Sequence, residues 1–324
     1  MNLKEIVREI KSYEGIKRKK PIGTVIKMLR EVLADCKTYG DDAAIINMKG
    51  NEFSLFAIDG IWSKVIDSNP RLAGHAAIMV GVNDILAMGG KSIGIAWTLG
   101  YTNIKIRNEI VKGLKENSKL YGVPIVGGHL HPNSSHNEIT TAILGRVKKK
   151  NLITSFGAHT GDRIIIAIDL AGQVSSYSGG WNSDIMKNKK QIYGRMNAIW
   201  ELADGHLANA CKDISNPGII GSLGMMLERN GLGALVEIKE IPKPLHIEWK
   251  KWVNMFPCYG FILAVANRNV RKCIDIFVKA GIDASVVGEF TNDKILALKD
   301  RNKSRTVFDF KKETICGINS RILV

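Results

Sequence analysis

Apolar and polar positions alternate along the chain in two long series, in which short apolar runs of strand length are followed by stretches with helical spacing. The first series predicts two helices, near residues 71–89 and 105–121. It also predicts strands near residues 43–48, 52–59, 92–100, 124–131 and 138–147. Repeated alternation of this kind is typical of α+β or α/β units rather than of a repeat protein.

The second series begins at residues 160–170 and continues through a long helical region from about 183 to 230. It then returns to strands, near residues 233–238, 260–266, 284–290 and 294–298. The basic connection VKKKNLITS separates the two series, and 324 residues are enough to bury two cores. We therefore predict two closely packed domains of mixed α+β (α/β) architecture, residues 1–148 and 149–324.

Three aspartates lie at the open end of a predicted hairpin. The runs AIINM and EFSLFAI flank a turn centred on Gly50, so antiparallel pairing places Asp59 opposite, or within a residue or two of, Asp41 and Asp42. Like charges that face each other destabilise a sheet. The acids are therefore either solvated turn residues or ligands of a cation such as Mg²⁺, which favours carboxylates together with substrate phosphates.

The stretch AAIMVGVNDILAMGG, residues 76–90, has apolar groups on every face, which predicts a buried helix. Asn83 and Asp84 lie inside it. A buried carboxylate needs a cation, several hydrogen-bond donors or a proton. Asp84 therefore either makes a helix-capping or interhelix hydrogen bond or joins the hairpin acids at a metal site.

The strand PIVGGHLHPNSSHN, residues 124–137, combines paired glycines with histidines. Gly127 and Gly128 permit close approach of a ligand to the backbone, but they equally mark a bulge. The two-residue period of a strand places His129 and His131 on one face, with His136 near them. Such a set would suit a transition metal, although no cysteine accompanies it.

The segment CKDISNPGIIGSLGMMLERNGLG, residues 211–233, predicts the start of an amphipathic helix just after Asp213. Ser215 or Asn216 is the expected N-cap residue. The amino terminus of a helix is a natural site for an anion, but this pattern alone indicates only a helix start.

The composition is that of an ordinary globular protein, with 45% hydrophobic residues, and no apolar run reaches the roughly 18 residues of a membrane helix. The amino terminus is amphipathic and charged, so we expect a cytoplasmic protein that does not bind membranes. Five scattered cysteines without a C-x-x-C pair indicate neither a zinc site nor a disulfide framework.

The net charge of +15 comes from basic clusters that are not interleaved with aromatic residues, and no nucleic-acid-binding motif is present. We therefore do not expect a nucleic-acid partner. The charge has two alternative explanations. It belongs to a lysine-rich surface of the kind found in proteins from hot environments, or it serves to attract a small anionic substrate.

Together these stretches resemble the superfamily of aminoimidazole ribonucleotide (AIR) synthase, selenophosphate synthetase and thiamine-monophosphate kinase. GDDAAII is similar to its acidic entry motif, AIDGIWSK to its Asp-Gly stretch that ends in Thr-Lys, and VNDILAMGG to its Asn-Asp helix. IVGGH is similar to selenophosphate synthetase. GDRIIIA, DISNPGIIGSL, GFILAV and VVGEF then follow in the superfamily's order. The closest likeness is to AIR synthase-related, methanogenesis marker-like proteins of archaea.

The resemblance implies an AIR synthase-like fold in which the amino-terminal domains of a homodimer pair their sheets into a shared β-barrel. It implies ATP and Mg²⁺ as cofactors, with metal contacts from Asp41, Asp42, Asp59, Asp84 and Asp213. It also implies nucleotide contacts from four of these acids, Asp41, Asp42, Asp59 and Asp84, and from Asn83, Gly127 and Gly128. The catalytic roles that it implies fall to Lys64, His129 and Asp213. The implied activity is that of a kinase or synthetase that activates a small anionic or amide-bearing metabolite.

Several positions depart from the superfamily pattern. His129 stands where the AIR synthase and kinase branches have an acid, and FPCYG before GFILAV matches none of the well-known branches. Cys36-Lys37 lies immediately before Asp41 rather than in a glycine-rich segment well ahead of it, so selenium chemistry is not expected. These departures favour, as an alternative, a nucleotide-binding assembly or maturation factor with little turnover.

Overall fold

A computed structural model of the chain describes residues 1–33, 39–175 and 179–318. The chain begins with three helices, α1 (Leu3–Ser12), α2 (Glu14–Lys17) and α3 (Pro21–Leu29). Leu3, Ile6 and Ile10 of α1 are buried in the core of the second domain. The first helix therefore packs on the second domain, although its residues fall within the first predicted range.

The first domain is built on a five-stranded sheet. Its strands are β1 (Ala44–Asn47), β2 (Glu52–Gly60), β3 (Lys91–Tyr101), β4 (Ile125–Pro132) and β5 (Glu138–Lys148). They are ordered β1-β2-β5-β3-β4, and only β3 and β4 are parallel. All of the strands predicted for this domain from the hydrophobic pattern are confirmed.

The hairpin that carries the first aspartates has the predicted register. Ala44 pairs with Phe56. Continuing this antiparallel register towards the open end of the hairpin brings Asp41 opposite Asp59. Because β1 begins only at Ala44, Asp41 and Asp42 lie in the bend that precedes the strand.

Three helices belong to this domain: α4 (Ser63–Ser68), α5 (Pro70–Ala87) and α6 (Ile104–Tyr121). The helices α5 and α6 pack so closely that their backbones meet. A Cβ atom on Gly74 would overlap the Ile110 carbonyl oxygen, and one on Gly113 would overlap the Arg71 carbonyl oxygen. Glycine at these two positions therefore sets the distance between the helices.

The opposite face of the sheet carries exposed apolar side chains, among them Ile46, Phe56, Ile58 and Leu144. Every residue of the edge strand β4 is also exposed. Within the described chain this sheet is open, with β1 and β4 as its edges, and it is not a closed barrel. The barrel implied by the resemblance would require a second copy of the chain.

The second domain is centred on a mixed seven-stranded sheet. Its strands are β6 (Arg163–Ile168), β9 (Ala210–Asp213), β10 (Gly233–Glu237), β12 (Gly260–Val265), β13 (Asp283–Thr291), β14 (Ile295–Asp300) and β15 (Lys303–Asp309). The strand order is β15-β14-β10-β13-β6-β12-β9. The strands predicted near 160–170, 233–238, 260–266, 284–290 and 294–298 are confirmed, whereas β15 was not predicted because its sequence is largely polar.

A small three-stranded sheet accompanies the large one and is ordered β11-β8-β7. Its strands are β7 (Gln173–Val174), β8 (Gly180–Asn182) and β11 (Phe256–Pro257). The helices of the domain are α7 (Lys189–Asp204), α8 (Gly218–Asn230), α9 (Trp249–Trp252) and α10 (Val270–Lys279). Helices α7 and α10 share a continuous core with the first domain, which confirms that the two domains pack closely.

The prediction of one long helical region from 183 to 230 is wrong, because β9 interrupts it. All four residues of β9 are buried and pair with β12, with Asp213 opposite Phe261. Pairing in the sheet thus overrides the local helical pattern. The predicted N-cap at Ser215 or Asn216 is also wrong, since α8 begins at Gly218 after Pro217 and no side chain caps it.

Two general expectations can be compared with the described residues. In this part of the chain, no helix has the length and apolar character needed to cross a membrane. The four cysteines described there, Cys211, Cys258, Cys273 and Cys316, are free, and three of them are buried. The fifth, Cys36, lies outside the described residues.

We predict that Gly113→Ala lowers the free energy of unfolding by about 1–3 kcal/mol, because the added methyl group forces α5 and α6 apart. Urea denaturation measures the change. Gly194→Ala is the matched control, because Gly194 lies within α7 with open space beside it, and this substitution should stabilise by up to about 1 kcal/mol. Equal stabilisation by both substitutions would contradict close helix packing.

Candidate functional site

A cavity of about 500 Å³ lies between the two domains. One wall comes from α5, another from the end of β9 and the loop that follows it, and a third from the small sheet. Arg18 and Lys19, which directly follow α2, also line it. The lining includes every predicted acid of the site, namely Asp41, Asp42, Asp59, Asp84 and Asp213, together with Asn83.

Three of these carboxylates converge on one point. Oxygen atoms of Asp42, Asp84 and Asp213 all lie within 4.8 Å of one another. They come from the bend before β1, from the last turn of α5 and from the end of β9. Among residues 1–33, 39–175 and 179–318, this is the only group of His, Cys, Asp and Glu side chains with a spacing that could hold a metal ion.

Asp59, at the end of β2, forms a carboxyl–carboxyl hydrogen bond with Asp84. Burial, followed by the charges of Asp59 and Asp213, raises the pKa of Asp84 well above its ordinary value. Burial also raises the pKa of Asp59, an effect that the hydrogen bond from Asp84 partly offsets. Burial and the neighbouring carboxylates therefore make an ionised Asp84 costly unless a cation compensates it.

Lys212 is the cation within the carboxylate cluster. Its ammonium group contacts Asp42 Oδ1 and lies 3.2 Å from Asp213 Oδ1. Burial lowers the pKa of Lys212, but the charges of Asp42 and Asp213 outweigh burial and raise it well above its ordinary value. Sequence reasoning missed Lys212; its position beside Asp213, just before a helix start, was the available signal.

Asp42 contacts the second domain through both of its carboxylate oxygens. Burial raises its pKa well above the ordinary value, and the charge of Lys212 opposes that shift. Its second oxygen accepts a hydrogen bond from the Asp213 backbone N–H at 3.2 Å. Asp42 thereby connects the hairpin of the first domain to β9 of the second.

Asp41 faces backbone donors. It accepts hydrogen bonds from the Ser155 N–H at 3.1 Å and from the Asp42 N–H at 3.0 Å. Burial raises the pKa of Asp41 to about 6, although these hydrogen bonds act in the opposite direction. Since Ser155 is the last residue of the interdomain connection, Asp41 ties the first domain to that connection, beside Asp42, Asp84 and Asp213.

Asn83 lies one residue before Asp84 and points towards the second domain. Its side-chain amide donates a hydrogen bond to the Cys258 carbonyl oxygen at 2.8 Å. Cys258 belongs to the FPCYG segment that distinguishes this sequence from the well-known branches. This segment, which runs from β11 to the first residue of β12, therefore contributes to the wall of the cavity that faces α5.

The remaining predicted site residues lie elsewhere. Lys64 is exposed on α4 and does not line the cavity. Gly127 and Gly128 lie on the exposed edge strand β4, where the ring of Trp97 occupies the space that a Cβ atom of Gly128 would need. The structure thus does not bring Lys64 or the paired glycines to the carboxylates of this chain.

The histidines also lie on the exposed surface around β4. The rings of His129 and His131 meet edge to face, with centroids 4.6 Å apart. His136 lies 3.4 Å from a Glu138 carboxylate oxygen. Neither His129 nor His131 lines the acidic cavity. The predicted neighbour of the acids, Cys36-Lys37, lies outside the described residues.

The sequence matches both domains of one family, described as AIR synthase related protein: the N-terminal domain at residues 40–147 and the C-terminal domain at residues 161–301. A protein of Methanocaldococcus jannaschii without a characterised function is 40% identical, over 98% of this chain and 100% of its own length. A protein of Synechocystis, also without a characterised function, is 30% identical over 97% of this chain and 98% of its own length. The PurL subunit of phosphoribosylformylglycinamidine synthase from Methanopyrus kandleri is 26% identical, over 81% of this chain and 39% of PurL.

Solved structures show the same fold. Thermotoga maritima PurL complexed with FGAR superposes with a TM-score of 0.79 at 17% identity, covering 97% of this chain and 53% of PurL. AaThiL complexed with AMPPCP and TMP superposes with a TM-score of 0.68 at 16% identity, covering 90% of this chain and 98% of AaThiL. The chain spans about half the length of the PurL chains. With both domain matches in order along the sequence, the chain belongs to the AIR synthase related protein family.

Proposed function

We propose that the chain is an ATP- and Mg²⁺-dependent phosphotransferase or synthetase that activates a small anionic or amide-bearing metabolite. The observation that carries this proposal is the convergence of Asp42, Asp84 and Asp213 in a cavity of about 500 Å³ between the domains. Relatives of the same fold support it, since PurL structures contain ATP or AMPPCP and AaThiL contains AMPPCP with TMP.

The charges of the described lining residues fit a divalent ion. The five predicted aspartates face three cations, Lys212, Arg18 and Lys19. A further acid in the lining, Asp184, is already paired with Arg195 at 2.6 Å. An excess of two negative charges on hard oxygen ligands therefore suits Mg²⁺, which takes carboxylates together with substrate phosphates.

Each group of the cavity has a role in this proposal. Asp42, Asp84 and Asp213 hold Mg²⁺, and Lys212 keeps two of those carboxylates in position. When bound, Mg²⁺ neutralises phosphate charge during phosphoryl transfer. Arg18 and Lys19, which also line the cavity, supply positive charge to the phosphates. The protein's contribution is mainly positioning and charge neutralisation, as phosphoryl transfer requires.

ADP release measured against a panel of small carboxylates, amides and phosphate esters tests the activity. An acceptor-dependent rate supports the enzyme. Tight binding of Mg²⁺-ATP without acceptor-dependent turnover would instead favour a nucleotide-binding assembly or maturation factor.

We predict that Asp84→Asn weakens Mg²⁺-ATP binding by about 1–3 kcal/mol, because it removes one charged ligand and preserves the shape of the side chain. Isothermal titration calorimetry measures the affinity. Without nucleotide the variant should be as stable as the parent protein or more stable, since repulsion with Asp59 is relieved. Asp275→Asn, at an exposed position of α10, is the control and should leave binding unchanged. An unfolded Asp84→Asn protein that still bound Mg²⁺-ATP with full affinity would show a purely structural carboxylate.

We predict that Lys212→Met lowers the free energy of unfolding in EDTA by about 3–5 kcal/mol, because it leaves buried carboxylates without their cation. Added Mg²⁺ should restore part of the loss by taking the place of the ammonium charge. Lys299→Met is the control. It breaks a half-exposed pair with Glu237 and should cost less than about 1 kcal/mol. A Lys212→Met protein with no dependence on Mg²⁺ would contradict a metal site beside Lys212.

The proposed enzyme is a homodimer that pairs the open sheets of two chains. The bare face of the sheet carries Phe56 directly opposite Leu144, and Ile58 beside them is 65% exposed. A contiguous exposed apolar patch of this kind marks an interface. The adjoining edge strand β4 has every residue exposed, and an exposed edge is a template for pairing with another strand. A second copy fits best because the patch continues into the open edges of the same sheet.

We predict that the parent chain sediments as a dimer and that Phe56→Glu converts it to a monomer, because a carboxylate would be buried in the apolar interface. Sedimentation equilibrium distinguishes the two states. Leu235→Glu is the control, since Leu235 is similarly exposed on β10 in the other domain. A monomeric parent chain, or dissociation by both substitutions alike, would rule out pairing through this face.

A further inference from the structure

A second cavity, of about 550 Å³, lies beside α5 but is lined by residues of that helix other than those of the acidic cleft. Val82 and Leu86 of α5 form part of its apolar floor, together with Met196 of α7. The carboxy-terminal end of α6 and the amino-terminal end of α7 form its sides. Its volume falls in the range of roughly 300–1,000 Å³ that is usual for small-ligand sites.

The charge of this second cavity is opposite to that of the acidic cleft. Lys91, Lys189 and Lys190 line it, and no aspartate or glutamate does so in the described chain. None of these three lysines forms an ion pair with any described residue. Their positive charge is therefore available to a ligand.

The amino terminus of α7 adds to this positive potential. Lys189 and Lys190 are the first two residues of this 16-residue helix, and the Asn188 side chain accepts its capping hydrogen bond from the Gln191 N–H. The backbone N–H groups of the first residues have no partner within the helix. Helix ends of this kind favour an anion, here beside two lysine side chains.

One wall of the cavity is aromatic. Tyr193 and Trp200 pack edge to face, with ring centroids 5.5 Å apart. The Trp200 indole N–H donates a hydrogen bond to the Gly90 carbonyl oxygen at 2.7 Å, and the Lys91 ammonium lies 4.6 Å from the centre of the indole ring. Trp200 is thus held in place, while Tyr193 is 56% exposed and presents its ring to the cavity.

We propose that this second cavity binds a nucleotide-class ligand, a phosphate ester that carries a planar ring, without a metal ion. The lysines and the α7 terminus neutralise the phosphates, and the ring packs against Tyr193 above the apolar floor. In the acidic cleft a metal must offset the carboxylates before phosphates can enter. Here no acid opposes the phosphates, so Mg²⁺ is not required. This site is separate from the proposed catalytic function and does not depend on it.

Isothermal titration calorimetry with ADP in EDTA tests the proposal. We expect one metal-independent ADP site per chain, and at least an approximately tenfold loss of affinity in Lys189→Ser/Lys190→Ser, because charge-assisted contacts are removed. Lys272→Ser/Lys279→Ser removes the same charge from the exposed face of α10 and should bind ADP as the parent chain does. No ADP binding in EDTA, or equal affinity in both double variants, would overturn the proposal.

A second arm tests the ring. Pyrophosphate should bind at least about tenfold more weakly than ADP, and Tyr193→Ser should reduce the affinity for ADP towards that of pyrophosphate, since stacking on an aromatic ring is worth about 1–3 kcal/mol. Equal affinities for pyrophosphate and ADP would show that the cavity recognises only charge, and would overturn the assignment of a nucleotide-class ligand. Asp84→Asn should retain this metal-independent binding, so the result is distinguishable from failure of the catalytic proposal.

Discussion

Repulsion between carboxylates that have been removed from water organises the cleft between the domains. On an open surface Asp42, Asp84 and Asp213 would cost little free energy to keep ionised. Packing of α5 against β9 brings Asp84 to Asp213, and Asp42 is hydrogen-bonded to the Asp213 backbone, so oxygens of all three lie within 4.8 Å of one another. Lys212 offsets part of the repulsion from within the protein. The remaining charge requires protons or a metal cation. The same few contacts therefore govern how the domains are joined and what the cleft can bind.

Helix α5 separates two cavities of opposite charge. Its Asn83 and Asp84 face the acidic cleft, whereas Val82 and Leu86 face the basic cavity. A hydrogen bond also connects the two: Tyr121 lines the basic cavity, and its hydroxyl donates to Asp184 of the cleft lining at 2.8 Å. The close packing of α5 on α6 holds both cavities in shape, because either would change if that distance changed.

Much of the acidic site could be predicted from the sequence because its members occupy locally recognisable positions. The turn at Gly50 defines the hairpin register and so relates Asp41 to Asp59, and an acid within an apolar helix singles out Asp84. Lys212 could not be predicted in this way, because only the pairing of β9 with β12 buries it among acids. His129 was linked to the site by its place in the sequence, yet its strand lies at the sheet edge of this chain.

The sequence by itself determined the first domain's strands and the register of the hairpin, since periodicity and turn chemistry are local properties. Only the tertiary structure decided that β9 interrupts a helical pattern, that the first helix packs on the second domain, and that Lys91 lines the same cavity as Lys189 and Lys190. Each of these depends on contacts between segments far apart along the chain. Such contacts leave no period in the sequence, because they arise from which surfaces remain to be buried once the local elements have formed.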